Sequence, residues 1–377
     1  MFAPVRALLG PRSNASPGVL AAAGAVALAF AATPFLVPEI AAELDVRLGS
    51  AGLLSTFQVG GFAATTFLAG RLLRPQASMH KIGLIATGIA HLLSALAPEF
   101  WQVLGLQLLA GIGMGFLTWL SWSEATRHRR GLADVAAVAP LVAAFSSPLL
   151  SWLAGIGSYR AVFALVGAST VAIALMPAHY GELPVIGRNV SDSKTNRILL
   201  AALFLLMLFS SAVFVFAAAA GKEIAHLSPL VVSIAFSLNA LVGVIATRFA
   251  TKSGTAWMWL GASALGALGV GLVASPIIYM IAMISWGFVF WMGLPAIFIL
   301  LADRSLSPAE RVGDAQSLMA LGRVVGPIVG GALLGVGEFD RLSVVGAIGL
   351  LSAALVVGVV ETARLRLAPH SHAQSQG

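Results

Sequence analysis

Cysteine is absent from the 377 residues, which excludes disulfides, thiolate metal sites and a thiol nucleophile. Charge is scarce as well. Asp, Glu, Lys and Arg make up 10% of the chain, against about 25% in a soluble domain, too little to cover a water-exposed surface. Acidic side chains are the scarcer sign, and none lies deep in an apolar run; Glu124, Asp134, Asp303, Asp314 and Glu361 all fall near run ends. The sequence has no GxxxxGK[ST] phosphate loop, no HExxH and no paired carboxylates within one run. An enzyme is therefore not expected, nor a metal site or a bound cofactor. The lack of an intramembrane carboxylate also argues against a polycationic substrate.

Apolar sequence fills the space that charge leaves. The chain is 59% hydrophobic with 40 glycines and a mean hydropathy of +0.94, the composition of packed membrane helices. Its longest interior polar segment, HYGELPVIGRNVSDSKTNR at 179–197, separates two apolar blocks at 19–176 and 198–360. At about 20 residues per crossing, the blocks divide into twelve spans. The first six are expected at 19–38, 51–70, 82–97, 102–123, 134–154 and 161–178. The second six are expected at 198–219, 229–248, 256–274, 277–302, 314–336 and 342–361. The predicted organisation is an all-α membrane protein. It has a six-helix half at 1–178, a connector at 179–197 and a second six-helix half with a tail at 198–377. The opening residues lack a cleavage-like end before the next apolar run, so that run reads as a first span and not as a secretory signal.

Basic residues set the orientation. With the N-terminus inside, 17 of the 22 Lys and Arg residues fall on the inner side. Arg47, Arg160, Lys222 and Arg341 fall outside, and Arg323 lies within a span. Positive residues favour the cytoplasmic side, which places both termini and the connector there, in the cell (cytoplasmic) membrane. The same bias accounts for the net charge of +7, and no nucleic-acid partner is needed to explain it. A shift of 179 residues carries Val19 onto Ile198, Ala51 onto Leu230 and Pro148 onto Pro327. Two parallel six-helix repeats are thus expected, as in secondary transporters that bind substrate near the midplane between halves.

The segment GDAQSLMALGRVVGPIVGG at 313–331 sets five glycines around Pro327. It resembles the glycine–proline motif of the major facilitator superfamily, found in the fifth helix of its drug/proton antiporters, although here it lies in the eleventh. The fifth span reads AFSSPLLSW and keeps only Pro148. PEIAAELDVRLGSAGLLSTF, LQLLAGIGMG and LSPAERVGDAQSL are similar to the same superfamily, so the likeness covers nearly the whole chain. Two positions depart from it. Arg74, followed by Pro75, stands where the loop after the second helix usually carries Asp. Gln107, four residues before Gly111, stands where proton antiporters carry Arg. The glycines also read without the family: Gly111 with Gly115, and Gly322 with Gly326, give small-residue faces for close helix contact. Pro327 deletes one backbone hydrogen bond and permits a bend. On that hinge reading, Gly326→Val should slow transport and leave the protein folded.

The resemblance implies a cavity lined by the first, second, fourth, fifth, seventh, eighth, tenth and eleventh helices. Polar and aromatic residues near mid-span on those helices are the candidate substrate contacts: Gln58, Gln107, Asn239, Trp286, Phe290, Trp291 and Arg323. Phe30, Ser146, Ser147, Ser210 and Ser211 stand beside them, and each serine has its own helix's carbonyls as an alternative partner. His91, the one mid-span histidine, can carry a proton near neutral pH, but its helix is peripheral in the fold, where a bond to a neighbouring helix also satisfies it. The expected function is secondary transport of a small, amphipathic, neutral or anionic organic solute by alternating access. The expected form is a monomer in the lipid bilayer, with protons as a candidate coupling ion and antiport-type efflux as a candidate direction. The alternative is a sensor or scaffold on the same fold that does not transport.

Overall fold

The computed structural model describes residues 16–73, 76–125, 129–178, 194–247, 249, 256–303, 308–334 and 339–367. Within a bilayer no water satisfies the backbone, so each crossing must close its own hydrogen bonds as a helix, and the described chain is almost wholly helical. Pro17–Glu43 is the first span. The second starts as Leu48–Ala51 and continues as Leu53–Leu72; Ala77–Leu96 and Phe100–Ala125 are the third and fourth. The seventh runs through Lys194–Phe214, breaks, and resumes as Ala217–Glu223. Pro229–Thr247, Ala256–Gly271, Pro276–Asp303, Pro308–Leu334 and Phe339–Leu367 complete the set. Most of the 179–197 connector lies outside the described residues, as do Arg74 and Pro75.

The fifth and sixth spans share one 45-residue run, Arg129–Ile173. A straight helix of that length would measure about 68 Å, twice the roughly 30 Å of hydrocarbon. Ser158 breaks it with φ 66° and ψ 179°. Its hydroxyl oxygen then accepts from the Arg160 N–H at 3.1 Å, which caps the sixth span as it turns back. Among the described residues ten helices are long and apolar enough to cross a membrane. Counting the reversal at Ser158 and the shorter Ala256–Gly271 gives twelve passes. The short ninth span is braced at its start by the twelfth, where Glu361 Oε1 and Oε2 accept from the N–H groups of Ala256 (3.1 Å) and Trp257 (3.2 Å). A carboxylate there satisfies orphan donors and meets the positive end of the helix dipole.

Small residues let the helices meet backbone to backbone. Gly111 and Gly115 of the fourth span rest against the carbonyls of Gln58 and Phe62 in the second. Gly322 and Gly326 of the eleventh lie against the carbonyls of Phe204 and Leu208 in the seventh. This overturns one expectation. A side chain at 326 would collide with the Leu208 carbonyl and the Ser211 hydroxyl, so Gly326→Val would force the two helices apart.

The first six spans meet the last six along a seam that is shut at one end. Lys222 Nζ donates to Glu39 Oε1 at 2.7 Å, and Ser151 Oγ donates to the Pro229 carbonyl at 2.8 Å. The rings of Phe35 and Phe236 stand 5.2 Å apart. All three contacts lie at the far end, away from the connector. Between the second and eleventh spans the seam can be followed residue by residue. Gly49, Thr56, Gly60 and Phe67 fall on one stripe of the second helix. Gly49 touches Gly331 through backbone alone, and Thr56 Oγ1 donates to the Val324 carbonyl at 3.0 Å. A side chain at Gly60 would meet nothing within 4 Å, and Phe67 is exposed. Among the described residues the seam is closed at the far end and parts at Gly60.

Candidate functional site

Arg323 stands at the level where the seam parts. On the eleventh helix, Gly322 and Gly326 face the seventh span and the Val324 carbonyl faces the second. Leu321 (47% exposed) and Ile328 (45% exposed) mark the lipid side. At 100° per residue, Arg323 points about 160° from Leu321, into the gap between the two partner helices. Its side chain is open rather than enclosed, so the opening is the cavity and not lipid. Among the described residues it has no ion pair and no hydrogen bond. Pro327 lacks the N–H that would bond the Arg323 carbonyl, so the helix is loosened at the same place. Gln316, two turns nearer the connector end, shares the open face.

The aromatic candidates divide. Ile281 and Ile299 form the exposed ridge of the tenth helix, and Phe290 lies about 180° from both, turned toward the interior and stacked edge-on to Trp291 at 5.8 Å. Trp291 fills the notch that Gly243 leaves in the eighth span. Trp286 is 3% exposed; it packs over Gly266 of the ninth span and against Phe214 of the seventh at 5.9 Å. Asn239 donates through Nδ2 to the Met283 carbonyl at 2.7 Å, tying the eighth span to the tenth. Phe30 meets Phe62 edge-on at 5.2 Å.

Gln58 and Gln107 belong to a different construction. Both are fully buried and bonded to each other, Gln58 Nε2 to Gln107 Oε1 at 2.9 Å. Thr33 Oγ1 donates to Gln58 Oε1 at 3.1 Å. At the other end, Gln107 Nε2 reaches Ser94 Oγ at 2.9 Å and His91 Nδ1 at 3.3 Å. One polar chain thus crosses the first, second, fourth and third spans. With Nδ1 accepting, the His91 proton sits on Nε2, where it has no partner, and the ring stacks on Phe163. Ser147 and Ser211 donate to their own helices' carbonyls, Ala143 at 2.6 Å and Leu208 at 3.2 Å. The Ser146 and Ser210 hydroxyls are buried without a partner.

Thr33, Thr56, Ser94 and Gln316 were not singled out in the sequence. Thr56 carried no signal beyond a hydroxyl on a helix, since its partner is a carbonyl 268 residues away. Gln316 was visible as an amide within the glycine–proline segment, two turns before Arg323.

The family model of the Major Facilitator Superfamily matches residues 19–331. The chain belongs to that superfamily. Solved structures of like fold include a bacterial homologue of the human lysosomal transporter Spinster, inward-facing and occupied. It is 14% identical, with 96% of each chain covered and a TM-score of 0.65. The human organic anion transporter MFSD10 (TETRAN) is 16% identical, with 94% of this chain and 100% of that one covered and a TM-score of 0.65. The nucleoside transporter NupG is 14% identical, with 92% and 98% covered and a TM-score of 0.68. No curated protein sequence gives a significant match. As a member of the superfamily, this chain is a multi-pass membrane protein of transporter type, and its twelve passes agree with that fold.

Proposed function

We propose that this protein is a secondary transporter of small amphipathic organic anions that works by alternating access, its two six-helix halves (1–178 and 198–377) rocking about the bound solute. One observation carries the reading: Arg323 is near mid-span, open to the cavity and unpaired among the described residues. An arginine at that depth costs at least about 2.5 kcal/mol to insert facing lipid; here it faces the cavity, and no ion pair or hydrogen bond among the described residues engages it. A carboxylate or similar anion would pair with it, held by the planar guanidinium fork, while Phe290 offers the apolar part of the solute a ring. MFSD10, of like fold, is an organic anion transporter, the charge class that Arg323 would select. The bias of Lys and Arg puts the connector end in the cytoplasm, so this state is open inward, in the cytoplasmic membrane.

The test is a thermal-shift screen of the purified protein against organic anions, since a ligand of the folded state raises apparent stability. The same screen then runs on Arg323→Lys and Arg323→Ala. The expected result is stabilisation by at least one anion, weakened about ten-fold or more by either substitution, with both variants folded. Unchanged affinity in folded Arg323→Lys and Arg323→Ala proteins would remove Arg323 from the binding site.

A further inference from the structure

The second span is held on two sides at one level. Gln58 is anchored by Thr33, Gln107 and, through Gln107, His91 and Ser94, so this stretch moves with the first half. Two residues earlier, and about 200° around the helix, Thr56 faces the other way. Its hydroxyl holds the Val324 carbonyl at 3.0 Å, on the residue next to Arg323 and within the turn that ends at Pro327. One turn further along the same stripe, the space opposite Gly60 is open. Among the contacts described on this stripe, the Thr56–Val324 bond is the one beside the open space at Gly60, and it joins the rigid polar chain of one half to the arginine-bearing helix of the other.

We propose that Thr56 is a positioning residue for transport: its hydroxyl clasps the eleventh helix beside Arg323 and keeps the far end shut until the bond is released. The bond crosses the seam, so it cannot persist when the far end separates. Thr56 itself is buried and the bond is part-buried, so water has limited access to the carbonyl while the seam is closed. Thr56 Oγ1 has this carbonyl as its described partner and none in its own helix, whereas Thr33, Thr66 and Ser94 each also have a carbonyl of their own helix within reach. The inference rests on alternating access, and the test separates the two ideas.

The chain has no cysteine, so Arg47→Cys and Asp340→Cys, both at exposed far-end positions, can carry spin labels alone. Label-to-label distances are measured in nanodiscs for the parent, Thr56→Val and Thr56→Ser, with Glu39→Gln as a second perturbation of the far end. Valine keeps the shape and loses the donor, whereas serine keeps the donor. Thr56→Val should raise the ratio of separated to closed far ends about three-fold or more, the scale of one hydrogen bond in a membrane, and Thr56→Ser should match the parent. A separated population that ignores Thr56→Val overturns the clasp, and so does a Thr56→Ser shift as large as that of Thr56→Val. Absence of any separated population in all four proteins overturns alternating access itself, and the clasp with it.

Discussion

Lys222 Nζ lies 2.7 Å from Glu39 Oε1 and ties the end of the seventh span to the end of the first across the far side of the seam. Both side chains are part-exposed, at 28% and 22%, so water and salt screen the pair and its worth is about 0.2–1 kcal/mol. Glu39→Gln should therefore favour far-end opening only about 1.4- to 5-fold, and less at high salt. The exchange Glu39→Lys with Lys222→Glu should restore closure. Spin-label distances across the far end measure each ratio. If Glu39→Gln fixed the protein fully open, a single exposed pair could not be the cause.

A deeper cost is expected at Gln107, which is wholly buried and bonds three neighbours. Gln107→Leu leaves the Gln58 amide N–H and the His91 nitrogen without partners in an apolar interior. Each stranded group costs about 1–3 kcal/mol. The double variant Gln58→Leu with Gln107→Leu removes both amides and should lose less than the sum of the two single losses. Thermal unfolding in detergent compares them. Additive losses would show that the chain is a set of unrelated bonds.

Topology gives a third prediction. A reporter fused after His179 should read cytoplasmic, and one fused near Lys222 external. The reverse pattern would turn the cavity to the outside and put the Lys222–Glu39 pair in the cytoplasm.

Twelve crossings were legible because length and hydropathy count them, and Arg323 was legible because lipid penalises a charge enough to decide which way it faces. The rotation of the other spans was not. A helix apolar all round carries no 3.6-residue signal to orient it, so Trp286 and Trp291 looked alike in the sequence. One fills the core and the other a notch at Gly243. Gln58 and Gln107 were found as polar residues at the right depth. Their bond to each other depends on Gly111 bringing the fourth span onto the second, a register that neither residue reveals. The reversal at Ser158 falls within the break expected between 154 and 161; what the sequence did not reveal is its form, a single serine cap inside an otherwise continuous helical run.

The bare contact of Gly49 with Gly331 has a consequence for what can reach the site. Two backbones touching without side chains leave nothing to compress, so the space between the second and eleventh helices is a stiff wedge with its apex there. A solute entering from the wide end stops where its thickness equals the local gap, and Arg323 stands close to the narrow limit. If Arg323 binds the solute as proposed, selection would be by thickness as well as charge. Flat arylcarboxylates are expected to reach the guanidinium, while equally charged, equally apolar cage carboxylates such as adamantane carboxylate stop short of it. Thermal-shift titration of such a matched pair should show the flat member binding more tightly in the parent protein, and the difference vanishing in Arg323→Ala. Equal affinity of the pair in the parent would mean that the wedge yields.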